Sequence, residues 1–235
     1  MRAIVLAGGQ GTRLRPYTFT LPKPLMPVGG EMPILEVIVR QLARCGFDRL
    51  TLAVNHKATL LRAFFGDGAD WGIDIDYSLE TEPLSTIGPL TLVEDLPEHF
   101  LVMNGDLLCD LDYGAFLRDH VAAGTEVSVA TCERTVHSDF GVIETDAGQR
   151  ITGFREKPVY TLQVSMGVYA LARSAIERLP QGRPYGFDTL MLDSIRAGRP
   201  ARAVAFPGYW LDIGRPEDFE RAQQEFPILR QQWRL

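Results

Sequence analysis

Short apolar runs of strand length recur along the chain, at AIVLA (3–7), LTLAV (50–54), FLVMN (100–104) and VSVAT (127–131). Stretches such as ILEVIVRQLARCG (34–46), with apolar residues at helical spacing, lie between them. The alternation predicts an α/β fold: a Rossmann-like, mostly parallel mixed sheet with helices on its faces. In such sheets ligands collect at the carboxyl ends of the strands. AIVLA runs straight into a glycine-rich loop and FLVMN into Asn104-Gly105-Asp106, so both segments are expected at that edge. Residues 139–169 hold the β-like pieces FGVIETD, RITGFREKP and VSMGVYAL with turn residues between them, and are expected to form a small β-rich lobe. PEDFERAQQEF (216–226) reads as a helix, with Pro216 at its start and acids in its first turn. There is no repeat, low-complexity tract or evident linker, so the expectation is one domain over residues 1–225 and a C-terminal tail over 226–235.

The 235 residues are 46% hydrophobic, enough to build a core. The apolar stretch 2–7 is short and is followed at once by glycine and arginine, which predicts neither a signal peptide nor a membrane span and makes the cytoplasm the expected location. Cys45, Cys109 and Cys132 have no metal-ligand spacing and read as packing residues in a reducing compartment. A net charge of −6 argues against a general nucleic-acid binder and leaves room for a small anionic substrate if positive charge is concentrated locally. Of the 24 basic residues only Lys23, Lys57 and Lys157 are lysines. In a chain this rich in arginine, a lysine marks a place where a compact ammonium is wanted.

The strongest chemical signal is LAGGQGTRLRPYTFTLPKPLMPVGG, residues 6–30. Gly8, Gly9 and Gly11 let backbone N–H groups approach phosphate oxygens, while Thr12, Arg13, Arg15 and Lys23 add donors and positive charge. Ala7 to Lys23 is therefore read as a polyphosphate cradle. It is neither a P-loop, which needs GxxxxGK[ST], nor a dinucleotide fingerprint, which would need glycine at Leu14.

LAGGQGTRLRP followed by LPKPLMPVGG resembles the signature of the sugar-1-phosphate nucleotidylyltransferases. The likeness continues in order through EPLSTIGPL (82–90), MNGDLL (103–108), DFGVIE (139–144), FREKP (154–158), VSMGVY (164–169) and YWLDIGRPEDFERA (209–222). The resemblance implies that Asp106 and Asp212 hold Mg²⁺ against the α-phosphate, a task suited to carboxylates at strand ends. Arg13, Lys23, Asp106 and Asp212 then form the catalytic set. Ala7, Gly8, Gly9, Gly11, Thr12, Arg13, Lys23, Glu80, Ser85 and Asp106 contact the nucleotide. Gly141, Glu156, Lys157 and Ser165 take the sugar phosphate, which makes the β-rich lobe a sugar-binding one.

Two departures from the family pattern bear on specificity. Ser85 and Ile87 stand in EPLSTIG where the family commonly has a glycine and a small residue. Ser165 and Met166 replace an asparagine and a small residue. Glu80 aligns with a base-reading position, and a carboxylate accepts two donors from guanine but one from uracil or thymine. GTP with a mannose- or heptose-type 1-phosphate is the resulting expectation, with UTP, dTTP or CTP as alternative donors. A phosphocholine-type cytidylyltransferase, for which Trp71, Tyr209 and Trp210 are available as a cation cage, and a non-catalytic nucleotide-sugar-binding subunit are the other readings left open. Expected partners are thus a nucleoside triphosphate and a sugar-1-phosphate, with no nucleic acid and no membrane; a homo-oligomer is left open.

Overall fold

In the computed structural model, which describes every residue except Gln10, His56 and Lys57, strand β1 (Arg2–Leu6) sends Ala3 and Val5 to one face and Ile4 to the other. All three are fully buried. Strand β6 (His99–Asn104) does the same, with Leu101 and Met103 opposite Phe100 and Val102. Burial on both faces is why these strands read as unbroken apolar runs rather than alternating ones. Lys57, one of the three lysines, and Gln10 of the glycine loop lie outside the described residues.

Between these strands the chain runs through β2 (Pro27–Val28), β3 (Met32–Pro33), α1 (Ile34–Arg44), β4 (Arg49–Val54), α2 (Ala58–Phe65) and β5 (Asp74–Leu79). After β6 come β7 (Leu107–Cys109), α3 (Tyr113–Ala123), β8 (Val127–His137), β9 (Val142–Thr145), β10 (Ile151–Arg155) and β11 (Val159–Ala172). The chain ends through α4 (Arg173–Glu177), α5 (Phe187–Arg196), β12 (Arg202–Ala205), β13 (Trp210–Asp212) and α6 (Pro216–Trp233). Seven strands form the main sheet in the order β12-β8-β11-β6-β1-β4-β5. Every neighbouring pair is parallel except those made by β11, which runs antiparallel to both β6 and β8. Helices α1, α2 and α3 cover one face; α4, α5 and the turn Gly88–Leu92 cover the other. The expected Rossmann-like mixed sheet is therefore the observed one. Among the described residues no helix is long and apolar enough to cross a membrane.

The lobe is built differently from the expected set of short pieces. Strands β8 and β11 are long, and their outer halves, from Glu133 to His137 and from Val159 to Gln163, run as an exposed two-stranded extension of the sheet. The hairpin β9–β10 lies beside it, with Arg155 of the hairpin over the ring of Tyr160. The lobe thus begins before residue 139.

The C-terminal helix also differs. The sequence reading places it over 216–226, and Pro227, which removes a helical donor and crowds the preceding turn, stands just beyond that end. In the structure α6 passes through Pro227 to Trp233, so the boundary drawn at 225/226 falls inside a helix. Packing overrides the local cost. Ala222 and Phe226 sit in an apolar cluster with Met26, Val28, Ile34 and Leu211, and the Trp233 carbonyl accepts a bond from Arg44.

Candidate active site

The glycine loop leaves β1 at the carboxyl edge of the sheet. Ala7 is buried and donates its N–H to the Ala53 carbonyl at the end of β4. The Gly8 carbonyl accepts a bond from Asn55. Gly11 has φ +63°, a left-handed backbone that disfavours side chains, and its carbonyl accepts from the buried Thr18 hydroxyl at 2.7 Å. Thr12 and Arg13 follow in a single 3₁₀ turn, Thr12–Leu14, that Leu14 anchors in the core. A second such turn, Lys23–Leu25 with Pro22 at its cap, buries Lys23. Arg15 stacks over the ring of Phe19, 5.2 Å from its centroid.

Asp106 is set by the tight turn from β6 into β7. The Gly105 N–H donates to the Leu6 carbonyl, and a β-carbon at Gly105 would lie 3.0 Å from that same oxygen, so glycine is what allows the turn to close onto β1. Strand β13 then pairs antiparallel with β7, placing Asp212 opposite Leu107, while Ile213 donates to the Asp106 carbonyl at 3.1 Å. Two short strands from distant parts of the chain thereby bring two aspartates to one point. Lys23 forms an ion pair with Asp106 Oδ2. The Arg13 guanidinium and the carboxylates of Asp212 and Asp218 lie 3.6, 3.5 and 3.7 Å from where a β-carbon on Gly214 would sit. All four residues of the expected catalytic set are together.

Burial raises the Asp212 pKa above the ordinary carboxylate value, the neighbouring charge of Asp106 adds to the rise, and Lys23 and Arg13 oppose it. Asp106 Oδ1 is buried with no hydrogen-bond partner among the described residues. An orphaned oxygen beside a desolvated second carboxylate is the donor set that a hard divalent cation takes, so the residues fit Mg²⁺. No group of three or more His, Cys, Asp or Glu side chains able to hold a metal occurs among the described residues. The protein thus offers a pair, and phosphate oxygens and water would complete the coordination, as is usual for Mg²⁺.

A cavity of about 340 Å³ opens from this cluster and is lined by Gly8, Gly9, Glu80, Ser85, Asn104 and Asp106, among others. Glu80 follows β5. Its Oε2 accepts from the Leu84 N–H at 3.3 Å, and its Oε1 lies 2.8 Å from the position of a β-carbon on Gly8. Desolvation raises its pKa, and the bond from Leu84 works against that rise. Ser85 has φ +64°, a conformation natural to the glycine that the resemblance leads one to expect there. Ile87 is fully buried among Leu90, Phe100 and Tyr169, so it packs the core and does not line the cavity. Tyr185 and Phe187 hold this loop: the Tyr185 N–H donates to the Leu84 carbonyl, the Ile87 and Gly88 N–H groups donate to the Tyr185 carbonyl, and the Phe187 N–H donates to the Thr86 hydroxyl.

The expected sugar-phosphate residues fall into two groups. Ser165 sits where the pairing of β11 with β8 shifts register, its hydroxyl accepting from Gly167 and donating to Tyr169. Gly167, at φ +73°, packs against Asn104; a β-carbon there would meet the Asn104 amide nitrogen at 2.6 Å. Ser165 is thus tied to the sheet edge. Met166 is buried, and its carbonyl accepts from Trp210 Nε1. Gly141 and Glu156 meet on the lobe, with Glu156 Oε2 3.3 Å from a β-carbon position on Gly141. Lys157 is exposed at φ +41° before Pro158. Among the described residues no hydrogen bond or ion pair joins Glu156 or Lys157 to the Asp106 cluster.

Residues not singled out from sequence also belong to the site. Asn55 and Asn104 each follow or end an apolar run at the carboxyl edge, a position that could have marked them. Thr18, within the loop motif, holds Gly11. Asp218 reads in the sequence as a helix-start acid, and it does accept the Arg215 N–H, but it also contributes its charge beside Arg13.

The fold and the site define an α/β protein with a charged cluster at the carboxyl edge of its sheet, and the profile of the nucleotidyl transferase family matches residues 2–227: the chain belongs to that family. Within it, a mannose-1-phosphate guanylyltransferase from Mycobacterium tuberculosis is 33% identical over 229 residues, covering 95% of this chain and 64% of that protein. The chain spans somewhat under two thirds of the length of the curated guanylyltransferases it matches first. The crystal structure of HddC from Yersinia pseudotuberculosis complexed with GMP-PN superposes with a TM-score of 0.72 at 26% identity, covering 96% of this chain and 99% of that one. A Bacillus anthracis protein assigned provisionally as a glucose-1-phosphate thymidylyltransferase shares the fold, with a TM-score of 0.77 at 23% identity over 95% of this chain and 94% of that one.

Proposed function

We propose that the protein is a Mg²⁺-dependent sugar-1-phosphate nucleotidylyltransferase that uses GTP and a mannose- or heptose-type 1-phosphate. The observation that carries the reaction is the convergence of Arg13, Lys23 and Asp212 on Asp106, which lines the same cavity as Glu80. An oxygen of the sugar phosphate attacks the α-phosphorus in line, the new P–O bond forms as the bond to the β-phosphate bridging oxygen breaks, and pyrophosphate leaves with the electron pair. The nucleophile is already anionic, so no side chain has to remove a proton. The task of the protein is positioning and neutralisation of clustered charge.

Asp106 and Asp212 are the residues that would hold Mg²⁺, which supplies charge neutralisation and orientation at the α-phosphate. Arg13 neutralises the departing pyrophosphate, and Lys23 the region of the α-phosphate. The backbone of Gly8, Gly9 and Gly11 carries the phosphates. Lys157 holds the attacking phosphate and Glu156 the sugar hydroxyls, with Ser165 contributing from the sheet edge. Exposure of Lys157 on the lobe suits a residue that meets its partner only when substrate bridges the gap.

Guanine is favoured because Glu80 presents a carboxylate at the cavity wall, and because the curated relatives matched first are guanylyltransferases. The aromatic residues that a choline cage would need are engaged separately. Trp71 packs on Phe64 and Phe65, Trp210 on Arg134, and Tyr209 on Trp233. Ile87, which with Ser85 departs from the family pattern in the EPLSTIG segment and thereby motivates the non-catalytic reading, points into the core. The test is pyrophosphate release from a matrix of nucleoside triphosphates and sugar-1-phosphates, with Mg²⁺ present and absent. GTP with a mannose- or heptose-type 1-phosphate should be fastest, and only with metal. Absence of release from every pair would refute the enzyme reading.

A further inference from the structure

We infer that Lys23 is a built-in stand-in cation: in the nucleotide-free enzyme its ammonium occupies the Asp106 carboxylate, and it yields that place when a divalent cation arrives with the triphosphate. This exchange rests on Asp106 and Asp212 being cation ligands, as proposed above. Lys23 is only 8% exposed, and among the described residues its one ion pair is with Asp106 Oδ2. Asp106 Oδ1 is buried and has no hydrogen-bond partner among the described residues, so the ammonium uses half of a carboxylate that a coordinating cation would use more fully. Asp212 lies alongside, half-buried, and two neighbouring carboxylates withdrawn from water need a counter-charge whether or not a metal is present.

The charges around the site nearly balance without a metal. Asp106, Asp212 and Asp218 face Lys23 and Arg13. A divalent cation entering alone would meet the Lys23 ammonium at the same carboxylate and be repelled by it. A cation entering with a triphosphate brings the ammonium a new anion. The route for the move is short, because the Lys23 β-carbon lies 3.4 Å from the β-carbon position of Gly11, against the phosphate loop. The turn Lys23–Leu25, with Pro22 before it and Pro24 within it, fixes the root of the side chain while leaving its end to swing. No bond is made or broken; one cation replaces another. The consequence is that cation and triphosphate bind cooperatively, each weakly without the other.

The test is Mn²⁺ binding to nucleotide-free protein, read from the loss of the free-ion paramagnetic resonance signal. Lys23→Met should bind Mn²⁺ at least tenfold more tightly than wild type, Lys23→Arg should stay close to wild type, and Asp106→Asn in the Lys23→Met background should remove the gain. If Asp106→Asn weakens binding in both backgrounds while Lys23→Met gives no gain, the exchange is wrong although the metal ligands stand. Mn²⁺ binding indifferent to Asp106 would overturn the ligand reading and the exchange together. Should Lys23→Met fail to fold, wild-type protein labelled with ¹³C at lysine Cε serves instead. With three lysines in the chain the spectrum holds three signals, identified by Lys57→Arg and Lys157→Arg. Saturating Mg²⁺ should shift the Lys23 signal, and a signal unmoved at saturation overturns the exchange.

Discussion

Replacing Glu80 by glutamine tests base recognition at a single atom. Glu80 Oε2 is already committed to the Leu84 N–H, so Oε1, lying against Gly8, is the oxygen left to face a base. A glutamine in the same place would keep its carbonyl oxygen on Leu84 and turn its NH₂ toward the cavity. The wall then changes from acceptor to donor. Guanine, which presents donors at N1 and N2, loses a hydrogen bond to a charged group worth about 1.5–3 kcal/mol. At roughly tenfold per 1.4 kcal/mol, kcat/KM for GTP should fall by about 10- to 150-fold. Uracil and thymine present an acceptor at O4 that the amide can meet, so their relative use should rise. The assay is pyrophosphate release with GTP, UTP and dTTP at fixed sugar-1-phosphate, together with a melting curve to show that the fold survives. An unchanged GTP-to-UTP ratio would mean that Glu80 does not read the base.

Three further outcomes follow from the same structure. Asp106→Asn, nearly the same shape but without the charge, should lower turnover by at least about a hundredfold while leaving the melting temperature within a few degrees; pyrophosphate release at the wild-type rate would remove Asp106 from the mechanism. His120 is buried between His99 and Ser128, at 3.2 and 2.9 Å, and burial foremost, with help from His99 and Arg202, pushes its pKa down to about 4. A group whose folded pKa lies below its unfolded value resists protonation only in the folded state. Stability is therefore full above about pH 6.5 and should decline, by on the order of 2–3 kcal/mol, as the pH falls toward 4; denaturant titrations should show that slope flattened in His120→Asn. Phe226 is 1% exposed, and Phe226→Ala should cost about 3–5 kcal/mol by denaturant unfolding; a loss under 1 kcal/mol would show that α6 beyond Pro227 is not part of the core.

The chain's local chemistry was legible without coordinates. AIVLA and FLVMN had to be buried strands because nothing polar interrupts them, and the glycines after β1 had to make a loop that backbone N–H groups could line. The isolated lysine at 23 stood out by residue type alone, whereas the aspartates at 106 and 212, each by itself an ordinary turn or cap residue, were readable as chemistry only through the ordered motifs that resemble the family's. What the sequence could not contain was the pairing of β7 with β13, which sets Asp212 beside Asp106: three-residue strands have almost no signal of their own and exist because each completes the other. The same limit hid the burial of Ile87, which looked like a change in the nucleotide pocket and is a core residue, and the passage of α6 through Pro227, where an apolar cluster outweighs a local helix breaker. Residue identity and spacing settle which groups are available and which short segments they favour. Which of those groups meet, and which way Glu80 turns its free oxygen, depends on long-range packing, whose energy belongs to no segment alone.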